Sequence, residues 1–209
     1  MATLSVAFRP AQAADSERLN GFDLTGALIP REEFMRGGPA RDGIPALTDP
    51  RFVAAAQAPL APEDRVVGVR LGNAAKAYPI RILNWHEVVN DAVAGRRIVV
   101  SYCPLCGTAM VFDAVAGGRH REFGVSGLLY NSDVLLYDRE SQSLWSQVMR
   151  KAVSGPVKGA PLVQIAARHT TWGEWRREFP DTVVQSFETG HERDYSRDPY
   201  AGYDAWEGT

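Results

Sequence analysis

The only two cysteines of the chain, Cys103 and Cys106, stand three apart in Cys-Pro-Leu-Cys-Gly. Thiols at that spacing suit two chemistries: attack on a disulfide followed by resolution of the mixed species, or thiolate ligation of a metal. Many Cys-x-x-Cys oxidoreductases set the first sulfur at a helix N-terminus, where the macrodipole lowers the thiol pKa. Here Arg97 to Tyr102 is strongly β-prone and Thr108 to Phe112 carries no helical stripe, so the spacing predicts a strand-turn-strand knuckle. Pro104 fixes φ and Gly107 permits a tight return, which brings the sulfurs together. The plain alternative is two buried cysteines that act as small hydrophobes.

A structural zinc site needs four ligands. There is no second cysteine pair, and His86, His120, His169 and His191 show no His-x3–5-His spacing. A zinc or copper centre of Cys103, Cys106 and His86 with an open position stays compatible with the sequence. In the dithiol chemistry His86 would donate and accept protons or favour the thiolate. Its bland reading is a satisfied surface or interface residue. Gly124-Val-Ser-Gly127 lacks the spacing of a hydrolase elbow, and neither a phosphate-binding loop nor a dinucleotide fingerprint occurs.

The elements around the knuckle are mostly short strands. Residues 15–50 read as an extended arm rich in Gly and Pro, and Asp49-Pro50 is a cap for a short helix over 51–57. Arg65 to Leu71 and Ala75 to Leu83 predict a hairpin about Gly72-Asn73, with Pro79 at an edge or strand end. Asn84 followed by Glu87 predicts a helix from Trp85, on which His86 and Asn90 share a face. Further strands are expected over 123–126, 128–130, 134–137, 143–147 and 152–153. Thr171 caps a helix from Trp172 to Phe179 that Pro180 ends, with Trp172, Trp175 and Phe179 as core. The fold class expected is α+β: a predominantly antiparallel β sheet or barrel-like sandwich with a few short helices.

With 45% hydrophobic and 23% charged residues, the 209-residue chain suits one globular domain, placed at 20–190 between a flexible leader, 1–19, and an irregular tail, 191–209. A net charge of −2 gives no electrostatic case for nucleic acid. No window reaches the ~18 apolar residues of a membrane span, so no transmembrane segment is expected. The leader ends in Ala-Gln-Ala-Ala like an export cleavage site, but it lacks a basic start and a full apolar core, which makes the cytoplasm the default location.

Five motifs occur in order: Asp42-Gly-Ile-Pro-Ala-Leu, Trp85-His-Glu-Val-Val-Asn-Asp, Tyr102-Cys-Pro-Leu-Cys-Gly-Thr, Phe123-Gly-Val-Ser-Gly and Ser143-Leu-Trp-Ser-Gln. Together they resemble the bacterial and archaeal family known as domain of unknown function 3179, over roughly residues 20 to 185. Some relatives are selenoproteins, which implies selenocysteine at a cysteine of this motif and hence redox chemistry, here in a slower thiol version. The resemblance also implies export or a lipid anchor in many relatives. The motifs suggest substrate-contacting walls at Tyr102, Ser126, Asn131, Trp145 and Gln147. Asp133 and Asp138 read instead as strand-end or turn residues, and Gly-Val-Ser-Gly also fits a bulge.

The leading expectation is thiol/disulfide-type exchange with a small-molecule or protein partner, requiring no cofactor, with Cys103 attacking and Cys106 resolving. The metal centre on Cys103, Cys106 and His86 is the alternative. A noncatalytic ligand-binding module is the third.

Overall fold

The computed structural model describes residues 17–202, so most of the expected leader and the last part of the expected tail lie outside the described residues. Three five-stranded sheets carry the architecture. The first runs in the order Ala167–Thr171, Arg65–Leu71, Ala74–Pro79, Val183–Gln185, Phe52–Ala54. The middle sheet is Gln164–Ile165, Thr108–Asp113, Arg96–Cys103, Val88–Val93, Leu47–Thr48. The third is Lys151–Ser154, Leu144–Ser146, Asp133–Asp138, Phe123–Tyr130, Met35–Arg36. All their pairings are antiparallel except Val183–Gln185 with Ala74–Pro79 and Leu47–Thr48 with Val88–Val93. None of the sheets closes on itself, so the α+β, sandwich-like class holds and a barrel does not form.

Side-chain alternation in the Arg96–Cys103 strand explains the layering, because successive residues point to opposite faces. Ile98, Val100 and Tyr102 join Val67, Val69 and Tyr78 of the first sheet in one core. Val99 and Cys103 join Phe123, Val125, Val134, Leu136 and Trp145 of the third sheet in another. The middle sheet is thus buried on both faces. The outer face of the first sheet packs on Trp172 and Trp175 of the Trp172–Glu178 helix, and that of the third on Phe22, Leu24, Ile29 and Phe34 of the arm.

Two helices expected from sequence form differently. Residues 51–57 give the strand Phe52–Ala54 and a single 3-10 turn. The helix expected from Trp85 instead spans Ile80–His86 and ends there, where Glu87 takes φ +56° and its N–H donates to the Leu83 carbonyl. Val88–Val93 then pairs residue for residue with Arg96–Ser101. Capping at Asn84 is worth roughly 1 kcal/mol, against roughly 1.5–3 kcal/mol for each fully buried Val88, Val89 and Val93 side chain. Tertiary burial therefore overrides the local cap. His86 and Asn90 do not share a helix face. Asn90 instead ties the middle sheet to the third, its amide exchanging 2.8 Å hydrogen bonds with both backbone groups of Phe123.

Other local expectations hold. Pro79 ends its strand, and the Thr171 hydroxyl accepts from the Glu174 N–H at the start of the second helix. Gly127 and Ser126 form a bulge between Val125 and Leu128. Asp138 is buried and accepts from Arg121 Nη1 at 2.8 Å, from Trp145 Nε1 at 2.8 Å and from the Ser141 hydroxyl and N–H. This is an ion pair with its remaining lone pairs satisfied, which makes it a structural tie rather than a reactive group.

Gly68 lies where the second helix touches the first sheet, and a Cβ there would overlap the Trp175 ring. Gly68→Ala should therefore lower stability by about 1–3 kcal/mol. Denaturant unfolding measures it, and an unchanged midpoint would show that Trp175 is not seated against this strand.

Candidate functional site

The expected knuckle is present. Cys103 pairs with Thr108 across the hairpin, residues 104–107 form the turn, and Gly107 takes φ +63°. Both cysteines are free. Cys103, expected from sequence to attack, is fully buried, whereas Cys106 is exposed on the turn. The pleat explains the difference, since Cys103 ends the strand facing the third sheet and Cys106 rides on the loop.

That face meets a second hairpin. Asn131 and Ser132 both take positive φ, +50° and +61°, as a two-residue primed turn requires. The turn carries the Ser132 carbonyl to 3.6 Å from Cys103 Sγ and the Asp133 carboxyl to 3.5 Å from Cys106 Sγ. The two sulfurs and an Asp133 oxygen all lie within 4.8 Å of one another. Gln147 Nε2 donates to Asp133 Oδ1 at 2.5 Å, and Gln147 Oε1 accepts from the Ser101 hydroxyl at 2.8 Å. Ser101 and Gln147 are wholly buried. The Asp133 Oδ2 atom is buried with no hydrogen-bond partner. Burial pushes the Cys103 thiol well above its ordinary range, and raises Asp133 against the opposing hydrogen bonds from Gln147 and Cys106.

Of the residues expected at the site, Cys103, Cys106 and Gln147 come together, and Asn131 forms the turn that delivers Asp133. Tyr102 lies on the opposite face of its strand, with its N–H donating to the Glu87 carbonyl at 2.7 Å, and lines a cavity of about 580 Å³ that Cys106 also lines. Ser126 is sealed in the bulge, its hydroxyl donating to the Leu135 carbonyl and accepting from the Leu128 N–H at 3.0 Å. Trp145 is core beside Phe123.

His86 is engaged elsewhere. Its Nδ1 lies 2.7 Å from the Pro45 carbonyl, which only accepts, so Nδ1 carries the proton and Nε2 accepts from the Tyr195 hydroxyl at 2.7 Å. Burial depresses its pKa to about 4, so the ring is neutral at pH 7. With both nitrogens occupied, the carboxyl of Asp133 rather than this imidazole stands third beside the sulfurs.

His86 belongs to a clasp on the C-terminal strap, 191–202. Asn84 Nδ2 donates to Asp198 at 3.1 Å, Trp85 Nε1 to the Arg197 carbonyl at 3.2 Å, His86 takes Tyr195, and Glu87 Oε1 accepts from the Tyr200 hydroxyl at 3.0 Å. Four consecutive residues thus hold the strap, which forms one wall of the cavity beside Cys106.

A family model described as a protein of unknown function (DUF3179) matches residues 41–209. The chain belongs to that family. Neither a curated protein nor a solved structure matches it. The DUF3179 match begins after most of the arm and runs through the strap, so both the cysteine knuckle and its clasp lie inside the family's span. Among the described residues no helix is long and apolar enough to cross a membrane.

Sequence reasoning missed Asp133, Ser101 and Glu87. A hydroxyl inside the apolar run Ile98–Tyr102 was the signal for Ser101, and tyrosines in an aperiodic tail were the signal for the strap. Nothing in the local sequence distinguished Asp133 from a turn-flanking aspartate.

Burial raises Glu87 from 4.5 to about 7. The folded state therefore holds a proton that the unfolded state releases between those values, so this residue's contribution to stability is present below pH 4.5 and is lost by about 3 kcal/mol as pH rises through 7. His86 has the opposite sign, losing stability as pH falls from 6.5 towards 4. Glu87→Gln should thus gain stability relative to the parent as pH rises from 5 to 8. Equal differences at both pH values would show that Glu87 does not titrate in this window.

Proposed function

We propose that the protein is a thiol-based redox protein in which Cys106 attacks and Cys103 resolves. The observation that carries this reading is the asymmetry of two neighbouring free sulfurs, Cys106 exposed beside a cavity and Cys103 buried in the core facing the third sheet. The Cys106 thiolate displaces one half of a disulfide, forming a mixed disulfide and releasing a thiolate. Cys103 then attacks the Cys106 sulfur, releasing the second half as a thiol and closing the Cys103–Cys106 bond. The substrate gains two electrons, the pair loses two, and the Cys103 proton passes to the departing sulfur. A buried thiol with a raised pKa stays protonated until the mixed disulfide forms. The selenium implied at this motif by the family resemblance also supports redox use.

Cys103→Ser treated with bis(2-hydroxyethyl) disulfide should accumulate one mixed disulfide at Cys106 by intact mass, while Cys106→Ser stays unmodified over the same time. An adduct on Cys103 in the Cys106→Ser protein would reverse the roles. No adduct in either variant would sink the reading.

A second reading is favoured by the Asp133 carboxyl, which lies beside two sulfurs and keeps its buried Oδ2 without a hydrogen-bond partner. Cys103, Cys106 and Asp133 have the donor chemistry to hold a thiophilic cation such as zinc or copper, which would stabilise both thiolates and act as a Lewis acid. Gln147 and Ser101 would orient the carboxylate. Protein purified without a metal-affinity tag should then hold near-stoichiometric metal by elemental analysis. Asp133→Asn should weaken zinc affinity by about tenfold or more. Metal-free protein whose two thiols cycle between free and bridged leaves only the exchange reading.

A further inference from the structure

Resting on exchange at Cys106, we propose that the adjoining cavity selects a small disulfide that carries carboxylates and an ammonium group, the charge pattern of a short peptide disulfide. Its volume of about 580 Å³ falls within the ~300–1,000 Å³ typical of small-molecule sites. Of its other acids, Asp64 lies 3.7 Å from Arg81 and accepts from the Ala61 N–H at 2.8 Å, while Asp198 accepts only from neutral donors, Asn84 and the Tyr200 N–H. Arg81 also donates to the Tyr195 carbonyl at 2.9 Å. By contrast, the guanidinium groups of Arg65 and Arg197 and the carboxylate of Glu63 line the cavity with no hydrogen-bond or ion-pair partner among the described residues.

A second observation points the same way. Tyr102 is only 4% exposed, its hydroxyl has no hydrogen-bond partner among the described residues but is not sealed from solvent, and the residue lines this cavity one position before Cys103. A ligand carboxylate beside Arg65 would accept from it, in a place where the Arg65 and Asp198 charges act on this hydroxyl in opposite directions. The lining as a whole carries three arginines and three acids, and its two unpaired cations, one unpaired anion and hydroxyl donor match a ligand that bears both carboxylates and an ammonium group, held so that its disulfide meets the exposed Cys106 sulfur.

The test compares single-turnover rates of reduced full-length protein with glutathione disulfide and with the neutral bis(2-hydroxyethyl) disulfide, each read as oxidation of the Cys103–Cys106 pair by mass. The ratio of the two rates, which a general loss of folded protein leaves alone, should fall about tenfold in an Arg65→Ala/Arg197→Ala double variant. The corresponding Lys double variant should retain most of the ratio, and 0.5 M salt should lower it in the parent. A ratio unmoved by the Ala variant overturns the proposal, as does faster reaction of the parent with insulin disulfides than with glutathione disulfide. Failure to react with any disulfide defeats the exchange reading itself, and the substrate class falls with it.

Discussion

A carboxyl group carried between two β layers is the constraint on which the site depends. Leaving such a group unpaired in an apolar environment costs several kcal/mol, so the fold supplies a hydrogen-bond chain to it. Gln147 reaches Asp133, Ser101 holds Gln147, and Ser101 is available only because it shares a strand face with Cys103. The chain links the third sheet to the middle one. It also leaves one oxygen of that carboxyl without a hydrogen-bond partner among the described residues.

Asp138, another buried aspartate, stands in contrast at the far end of the same strand. Asp138 receives an arginine, an indole N–H, a hydroxyl and a backbone N–H, so its acceptor positions are filled. Both residues flank the same strand, and both resemble turn aspartates in the sequence. Only three-dimensional partner accounting separates the tie from the site.

Legibility in the sequence followed the range of the forces involved. The knuckle, the bulge at Ser126, the strand-ending Pro79 and the Thr171 cap were readable because local backbone preferences decide them. The helix at Trp85 was misplaced because burial of Val88, Val89 and Val93 between sheets outweighs a cap. The role expected for His86 depended on that helix. Its ring instead meets Pro45 and Tyr195, 41 and 109 residues away, partners that no local pattern encodes. The difference in burial between the two cysteines was likewise hidden, since it depends on which face of the strand is sealed.

The middle sheet, buried on both faces, carries a consequence for how this chain tolerates changes of length. In the Arg96–Cys103 strand, adding or deleting one residue would exchange the faces of every side chain beyond it, sending Tyr102 among the sulfur-bearing layer and Cys103 towards the strap. Length variation therefore has to be absorbed at the turns, such as Ala94-Gly95 or Gly117-Gly118. The strand itself behaves as a fixed ruler whose count of residues is as constrained as their identity.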